Sequence, residues 1–305
     1  MAEETTGLNE RKPKHGIVIP LYGACPPDLA ERVISYRQKG MLVVLVQNNP
    51  KTYPKLTPVP KDLLSRDSRI IVVYNHNVGG VAGGFNRGIE SAIRHGMEWI
   101  TLLDQDSRLS GKDMEKLLEP WQSISNRRLM AGPIVWDGRR ECFVRSRNKN
   151  HFNDFIQTRL LISSGTTFRT VDWDVLGPMD EWLFVDFVDH FWSFKAQAQG
   201  FVLLQHPDVI LHQAFGEKHP NPLCHQLGME LYSPVRHFYS IRNLRYLARR
   251  SCIPLDLKLK ELLKMLFKPW LWLLFEPQRN ENLKAIIKAL RTPIPKDGDA
   301  PRFRL

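Results

Sequence analysis

The chain is poor in cysteine, and its four residues of that type, Cys25, Cys142, Cys224 and Cys252, lie far apart with no CxxC pair. Such spacing argues against a disulfide framework and suits a reducing cytosol. A zinc site built from Cys224, His225, His212 and His219 follows no usual ligand pattern. No apolar run approaches the ~18 residues needed to span a bilayer. The first sixteen residues, MAEETTGLNERKPKHG, lack the apolar segment of a secretory signal. Neither GxGxxG nor the Lys-Ser/Thr of a P-loop is present, which disfavours a dinucleotide fold. Internal repeats and low-complexity tracts are also missing from the 305 residues, which are 43% hydrophobic and 25% charged. That is ordinary globular material for one large domain or two small ones.

Acidic charge is short as well. The 43 Lys and Arg against 32 Asp and Glu leave a formal charge of +11, which raises nucleic acid, an anionic membrane surface or a phosphate-rich ligand as partner. The charge is uneven: from Arg236 onward sixteen Lys and Arg face six Asp and Glu, a net of +10, so the body is nearly neutral.

What is present through the first half is alternation. GIVIPLY (16–22), MLVVLVQ (41–47), RIIVVY (69–74) and WITLLD (99–104) read as buried strands. PPDLAERVISYRQKG between the first two carries Leu29, Val33 and Tyr36 on one helical face and Gly40 as a stop. A glycine-rich loop runs into a second helix over 85–95, with Ile89, Ala92 and Ile93 on one face. Strand and helix alternating in this way predict right-handed βαβ units, a mainly parallel sheet and a ligand crevice at the C-terminal strand ends. The second half is less regular, with apolar runs at 129–136, 160–163 and 201–204 and a helix over 188–199. After Asp256 an amphipathic helix places Leu259, Leu262, Leu263, Leu266 and Trp270 opposite Lys258, Lys260, Lys264 and Lys268, with Pro269 expected to kink or end it. A further helix is predicted to open at Asn280, with Leu283, Ile286, Ile287 and Leu290 on one stripe.

Two stretches carry chemistry. WITLL ends in Asp104-Gln105-Asp106-Ser107, two carboxylates one residue apart at the edge of a central strand. Mg²⁺ and Mn²⁺ take such oxygen ligands together with diphosphate oxygens, although a DxD alone is equally a surface turn. The loop from Asn77 through Gly79, Gly80, Gly83 and Gly84 to Asn86, Arg87 and Gly88 follows a strand and enters a helix. Its backbone N–H groups can meet an anion; the alternative is a tight, closely packed turn.

With IPLYG, NVGGVAGGFNRGI, LLDQDS, AGPIV, SSGT, LGPMDEWLFVDFVDHFWSFKAQAQGF, LHQAFG and YSPVRHFYSIRNLRYLARR in this order over about residues 15–250, the chain resembles the family-2 inverting glycosyltransferases of GT-A fold. Within them it is similar to the bacterial rhamnosyltransferases of surface-polysaccharide assembly. The resemblance implies an α/β fold with a mainly parallel sheet flanked by helices, and transfer of L-rhamnose from dTDP-L-rhamnose to a lipid-linked saccharide. It implies that Asp106, with Asp104 beside it and His212 completing the shell, holds Mg²⁺ or Mn²⁺. Asp189 occupies the place of the catalytic base, with Asp186 as the alternative. Donor contacts are implied for Pro20, Tyr22, Gln47, Asn48, Asn77, Gly79, Gly83, Asn86, Arg87 and Asp104, and acceptor contacts for Asp186 and Trp192. A histidine such as His212 after an apolar strand also has a purely structural reading. The chain departs from the family pattern at Gln47-Asn48, where relatives carry Asp-Asn, and at Phe191 and Lys195. A Gln carbonyl still accepts a base imide N–H, so uracil and thymine stay open. Other readings are a galactofuranosyl or hexosyl donor, a sugar-phosphate nucleotidyltransferase and a membrane scaffold with a degenerate site.

The expected organisation is a flexible N-terminus over 1–14, a catalytic domain over 15–235 and a basic helical tail over 236–305. Arginines among aromatics in YSPVRHFYSIRNLRYLARR would suit single-stranded nucleic acid. The leucine and lysine faces that follow suit an anionic membrane interface instead, with packing on the body as the remaining option. The expectation is a cytoplasmic protein, peripheral on the inner face of the membrane, that binds no nucleic acid.

Overall fold

The structure is a computed structural model that describes residues 14–51, 68–138, 141–144, 151–213, 217–219, 221, 224 and 230–296. The expected N-terminal segment, except for residue 14, and residues 214–216 of LHQAFG lie outside the described residues, as does His225.

Strand β1 (His15–Leu21) is buried along its whole length and lies at the heart of the main sheet. It pairs in parallel with β2 (Leu42–Gln47) on one side and β4 (Trp99–Leu102) on the other, and β3 (Ile70–Tyr74) pairs in parallel with β2. Helix α1 (Leu29–Gln38) buries Leu29, Val33 and Tyr36, the face read from the sequence. The order β3-β2-β1-β4 reverses direction between β1 and β4, so the loops after these two strands meet.

The second half extends the sheet. Beyond β4 the order runs β9 (Thr167–Arg169), β5 (Leu129–Asp137), β10 (Val202–Gln213), β8 (Phe155–Thr158) and β7 (His151–Phe152), with β6 (Cys142–Phe143) on β5. Strand β9 is antiparallel to both neighbours, whereas β5 and β10 are parallel to each other. The apolar run 160–163 is not a strand: Leu161 is buried, and its N–H and carbonyl are taken by the Ser193 hydroxyl instead of a ladder.

Helix α2 (Gly80–Arg94) starts earlier than the sequence suggested, because most of the glycine stretch is its first turns. The glycines let it lie close to the sheet. A Cβ on Gly88 would stand 2.1 Å from Val18 Cγ1, and one on Gly84 would stand 3.0 Å from Asn48 Nδ2.

Short helices α3 (Gly111–Lys116), α4 (Pro120–Ser123) and α5 (Trp173–Leu176) precede α6 (Val188–Ala198), and three longer ones close the chain. These are α7 (Pro234–Ala248), α8 (Leu255–Phe275) and α9 (Arg279–Arg291). Helix α8 runs through Pro269 without ending there. Proline removes one ladder donor, but Trp272, one turn on, is buried against the His237 ring at 3.8 Å and anchors the last turn. Helix α9 begins at Arg279, and the predicted Asn280 cap is not formed.

Candidate active site

The loops after β1, β2, β3 and β4 converge on a crevice of about 360 Å³. Pro20, Tyr22, Asn48, Asn77 and Asp104 line it, as expected of donor-binding residues, together with Val81 and Gln105. The opposite wall comes from Phe184 and Val185 and from Ser233, Val235, Arg236 and Tyr239 at the start of α7. None of that wall was among the candidates. Arg236 and Tyr239 of this wall fall within the basic helical tail expected from the sequence.

Backbone anchors hold the floor. The Gln105 amide accepts from the Tyr22 N–H at 3.0 Å and donates to the Tyr22 carbonyl at 2.9 Å. The Arg32 guanidinium donates to the carbonyls of Gln105 and Ser107 at 2.5 and 2.7 Å. Ser164 Oγ accepts from the Asp104 N–H at 3.1 Å and bonds Ser107 Oγ at 2.6 Å. The Asp-Gln-Asp turn is thereby fixed from α1, from the loop after β1 and from the SSGT turn.

Three carboxylates share this end of the sheet electrostatically. Burial, with the charges of Asp106 and then Asp189, pushes the Asp104 carboxyl up to about 7, although Gln213 Nε2 donates to it at 3.3 Å. Asp189 lies in the first turn of α6, where the helix dipole favours an anion. Burial alone would raise its carboxyl, but the His190 charge and hydrogen bonds hold it below the usual range. His190 Nδ1 lies 2.9 Å from Asp189 Oδ1. Asp186, the alternative base, is engaged: Arg236 Nε and Ser240 Oγ each donate to its carboxylate at 2.9 Å.

Several other expected site residues take structural positions. Trp192 is 2% exposed, packs edge-on to Phe168 and donates to the Gly177 carbonyl at 3.0 Å, so it belongs to the core and not to an acceptor surface. Asn86 is buried and bridges α2 to the backbone of Met179. Arg87 pairs with Glu90 at 3.6 Å on its own helix. Gly79 and Gly83 are buried; a Cβ on Gly79 would strike Glu181 at 2.7 Å, and one on Gly83 would strike the Val78 carbonyl at 1.9 Å. These glycines therefore serve close packing, the alternative reading of the loop. Gln47 ends β2, its carbonyl accepting from the N–H groups of Asn75 and His76. The Asn48 side chain donates to the Gly80 carbonyl and accepts from Asn75 Nδ2.

Asp106 and His212 are exposed, and His212 is bridged through its backbone to Arg108. Among the described residues no group of three or more His, Cys, Asp or Glu is assembled closely enough to hold a metal ion. The donor chemistry nevertheless fits a hard divalent cation, since Asp104 and Asp106 supply carboxylate oxygens and their mutual repulsion awaits a positive charge.

The turn before α6 is unusual. Phe184, Asp186 and Phe187 all have left-handed backbones, with φ of 65°, 57° and 63°. For non-glycine residues this costs roughly 1–3 kcal/mol each unless neighbours impose it.

The sequence profile of glycosyl transferase family 2 matches residues 16–176, just over half of the chain. The chain belongs to glycosyl transferase family 2. Over 283 residues, 89% of this chain and 92% of its relative, it is 27% identical to the dTDP-rhamnosyl transferase RfbF of Shigella flexneri. Among solved structures it is similar to S. aureus TarS at 15% identity, with a TM-score of 0.53, covering 91% of this chain and 48% of TarS. GalNAc-T7, crystallised with UDP, GalNAc and Mn²⁺, matches with a TM-score of 0.55 at 15% identity over 94% of this chain and 59% of its own. TarS 1–349 in complex with UDP-GlcNAc matches with a TM-score of 0.52 at 14% identity, over 90% of this chain and 81% of its own. The chain thus spans about half the length of the first two of these structures. These likenesses establish the GT-A fold, and the family makes this glycosyltransferase an enzyme.

Proposed function

We propose that this family-2 enzyme is an inverting, metal-dependent rhamnosyltransferase that moves L-rhamnose from dTDP-L-rhamnose to a lipid-linked saccharide. The observation that carries the reaction type is Asp104 in the crevice at the strand ends, near enough to Asp106 and Asp189 for both charges to act on its carboxyl. The donor assignment is supported by the likeness to RfbF.

The acceptor hydroxyl attacks the anomeric carbon, the bond to the nucleoside diphosphate breaks, and Asp189 takes the hydroxyl proton. His190 keeps the Asp189 carboxylate ionised and ready. Pro20, Tyr22, Asn48 and Asn77 orient the donor in the crevice. Asp106 and Asp104, with His212 at the strand end, would hold Mg²⁺ or Mn²⁺, which when bound neutralises the charge that develops on the leaving diphosphate. A single displacement gives a product of inverted configuration.

The enzyme works at the cytoplasmic face of the membrane. Helix α8 turns Leu259, Leu263, Leu266, Phe267 and Trp270 outward, Trp270 being 67% exposed, with lysines beside them. Such a face suits insertion among anionic headgroups. No described helix is long and apolar enough to cross a membrane.

A panel of nucleotide sugars with Mn²⁺ or Mg²⁺ tests this reading. The expected result is acceptor-dependent release of dTDP from dTDP-L-rhamnose, abolished by chelator. Release of pyrophosphate from a nucleoside triphosphate, or turnover of none of the donors, would contradict it.

A further inference from the structure

The strained turn at 184–187 leads directly into the helix that carries Asp189, and its conformation is imposed from α7. Asn243 is fully buried at 0% exposure, and its single amide nitrogen reaches three carbonyls of the turn: Leu183 at 2.8 Å, Val185 at 2.6 Å and Asp186 at 3.0 Å. Its own carbonyl accepts from Arg242 Nε at 3.0 Å and from a second Arg242 nitrogen at 2.8 Å. Arg242 in turn lies over the Trp182 ring at 3.9 Å and donates to the Leu183 carbonyl at 3.2 Å. On the other side of the turn the Val81 N–H, in the first turn of α2, donates to the Phe184 carbonyl at 2.8 Å.

Left-handed backbones at three non-glycine residues persist only where surrounding contacts over-determine them. Asparagine suits the task, because a planar amide presents two N–H donors on one side and an acceptor on the other. Leucine, of similar size, would take this donor from the Val185 and Asp186 carbonyls and leave Leu183 only its bonds from Arg242 and the Val185 N–H.

We propose that Asn243 is a positioning residue for the transfer reaction: by gripping the 183–186 carbonyls it holds the turn in its strained form and so sets where Asp189 meets the acceptor hydroxyl. The inference rests on the reading of Asp189 as the base. It also gives Arg242 a function, that of orienting the Asn243 amide by occupying its oxygen. A group that merely stabilised the fold would, on removal, lower folding stability and leave kcat of the folded fraction intact. A positioning group lowers kcat far more than donor affinity, since the crevice floor comes from the loops after β1, β2 and β4 and the turn supplies only Phe184 and Val185 of one wall.

The test measures dTDP affinity and steady-state transfer from dTDP-L-rhamnose to a lipid-diphosphate-linked saccharide for wild type, Asn243→Ala, Asn243→Ser and Asp189→Asn, each first shown to be folded by circular dichroism. Asn243→Ala is expected to lower kcat about 30-fold or more with dTDP affinity within threefold of wild type. Should Asn243→Ala not fold, Asn243→Ser, which keeps one donor, is expected to show a smaller fall of the same kind. Adding Phe187→Gly to either variant is expected to restore several-fold of the lost kcat, because glycine adopts φ near 63° without strain. Wild-type kcat in the folded Asn243 variants beside an inactive Asp189→Asn overturns the inference alone. Proportionate loss of dTDP affinity and kcat overturns it as well. Transfer retained by Asp189→Asn overturns the proposed base and the inference with it.

Discussion

Helices α7 and α8 belong to the same basic C-terminal stretch, yet their burial runs opposite to their composition. Helix α7 is rich in arginine and polar residues, and it buries His237, Arg242 and Asn243 beside Ile241, Leu244 and Leu247. Helix α8 is the more apolar, and Trp272 is its single fully buried residue, with eight of its large apolar side chains exposed. Burial therefore follows the availability of shaped partners more than hydropathy. Arg242 is buried because Trp182, Tyr239 and the carbonyls of a turn sixty residues upstream surround its guanidinium. Leu259, Leu262, Leu263 and Leu266 of α8 are exposed because none of the described residues covers them. The net charge of the stretch consequently has two uses: α7 spends part of it on building the active-site wall, and α8 and α9 carry the rest to the surface.

The contrast can be broken most forcefully at Arg242. Arg242→Met should lower stability by about 2–4 kcal/mol in chemical denaturation, through lost cation–π contacts and unpaired buried carbonyls. Transfer by the folded fraction should fall at least 100-fold. Retention of both would mean that α7 is an appendage after all.

On α8 the expected pattern is reversed. Leu263→Gln/Leu266→Gln/Trp270→Gln should change stability by less than about 0.5 kcal/mol, as exposed sites do. Binding to vesicles of anionic lipid should drop at least tenfold in a flotation assay. A large loss of stability would show that the stripe is covered by protein.

Asp104 sharpens the account of the crevice itself. Its folded pKa of about 7 lies above the ordinary 3.8, so the folded state holds the proton more tightly than the unfolded chain does. In cation-free protein this contribution to stability is complete below about pH 4 and is lost as the pH rises through 7. Asp104→Asn should therefore raise the cation-free Tm by a few degrees at pH 8, leave it unchanged near pH 4, and abolish transfer. An equal shift at both pH values would remove the electrostatic explanation.

The smallest effect is expected at Arg87. Its partner is Glu90 one turn on along the same half-buried helix face, a pair still open to solvent, so Arg87→Ala should cost under about 0.5 kcal/mol. Transfer should change less than threefold, whereas a 100-fold loss would return Arg87 to the donor site.

Legibility in the sequence follows the range of the forces involved. The strands from β1 to β4 and helix α1 were readable because continuous apolar runs and a helical face are local signals. So was the meeting of the loops that carry Tyr22, Asn48, Asn77 and Asp104, because loops after parallel strands converge at one end of the sheet, whereas a donor role for these residues came only from the family resemblance. The glycine stretch was located correctly, but its packing against Val18, Val78 and Glu181 needs three-dimensional neighbours. Strand β9 was missed, since three residues inserted antiparallel between β4 and β5 leave no periodic signature. The α7 wall was missed for a different reason: Arg236 and Tyr239 contribute to the crevice through contacts some fifty residues away, and a charge count carries no direction.

The division of labour between α7 and α8 is tested most directly by comparing two activities of one variant. Leu263→Gln/Leu266→Gln/Trp270→Gln should transfer to a detergent-dispersed lipid-linked acceptor with kcat within twofold of wild type. On the same acceptor embedded in anionic vesicles its rate should be at least tenfold lower. Equal losses in detergent and in vesicles would contradict the assignment of α8 to location and place it in the catalytic machinery.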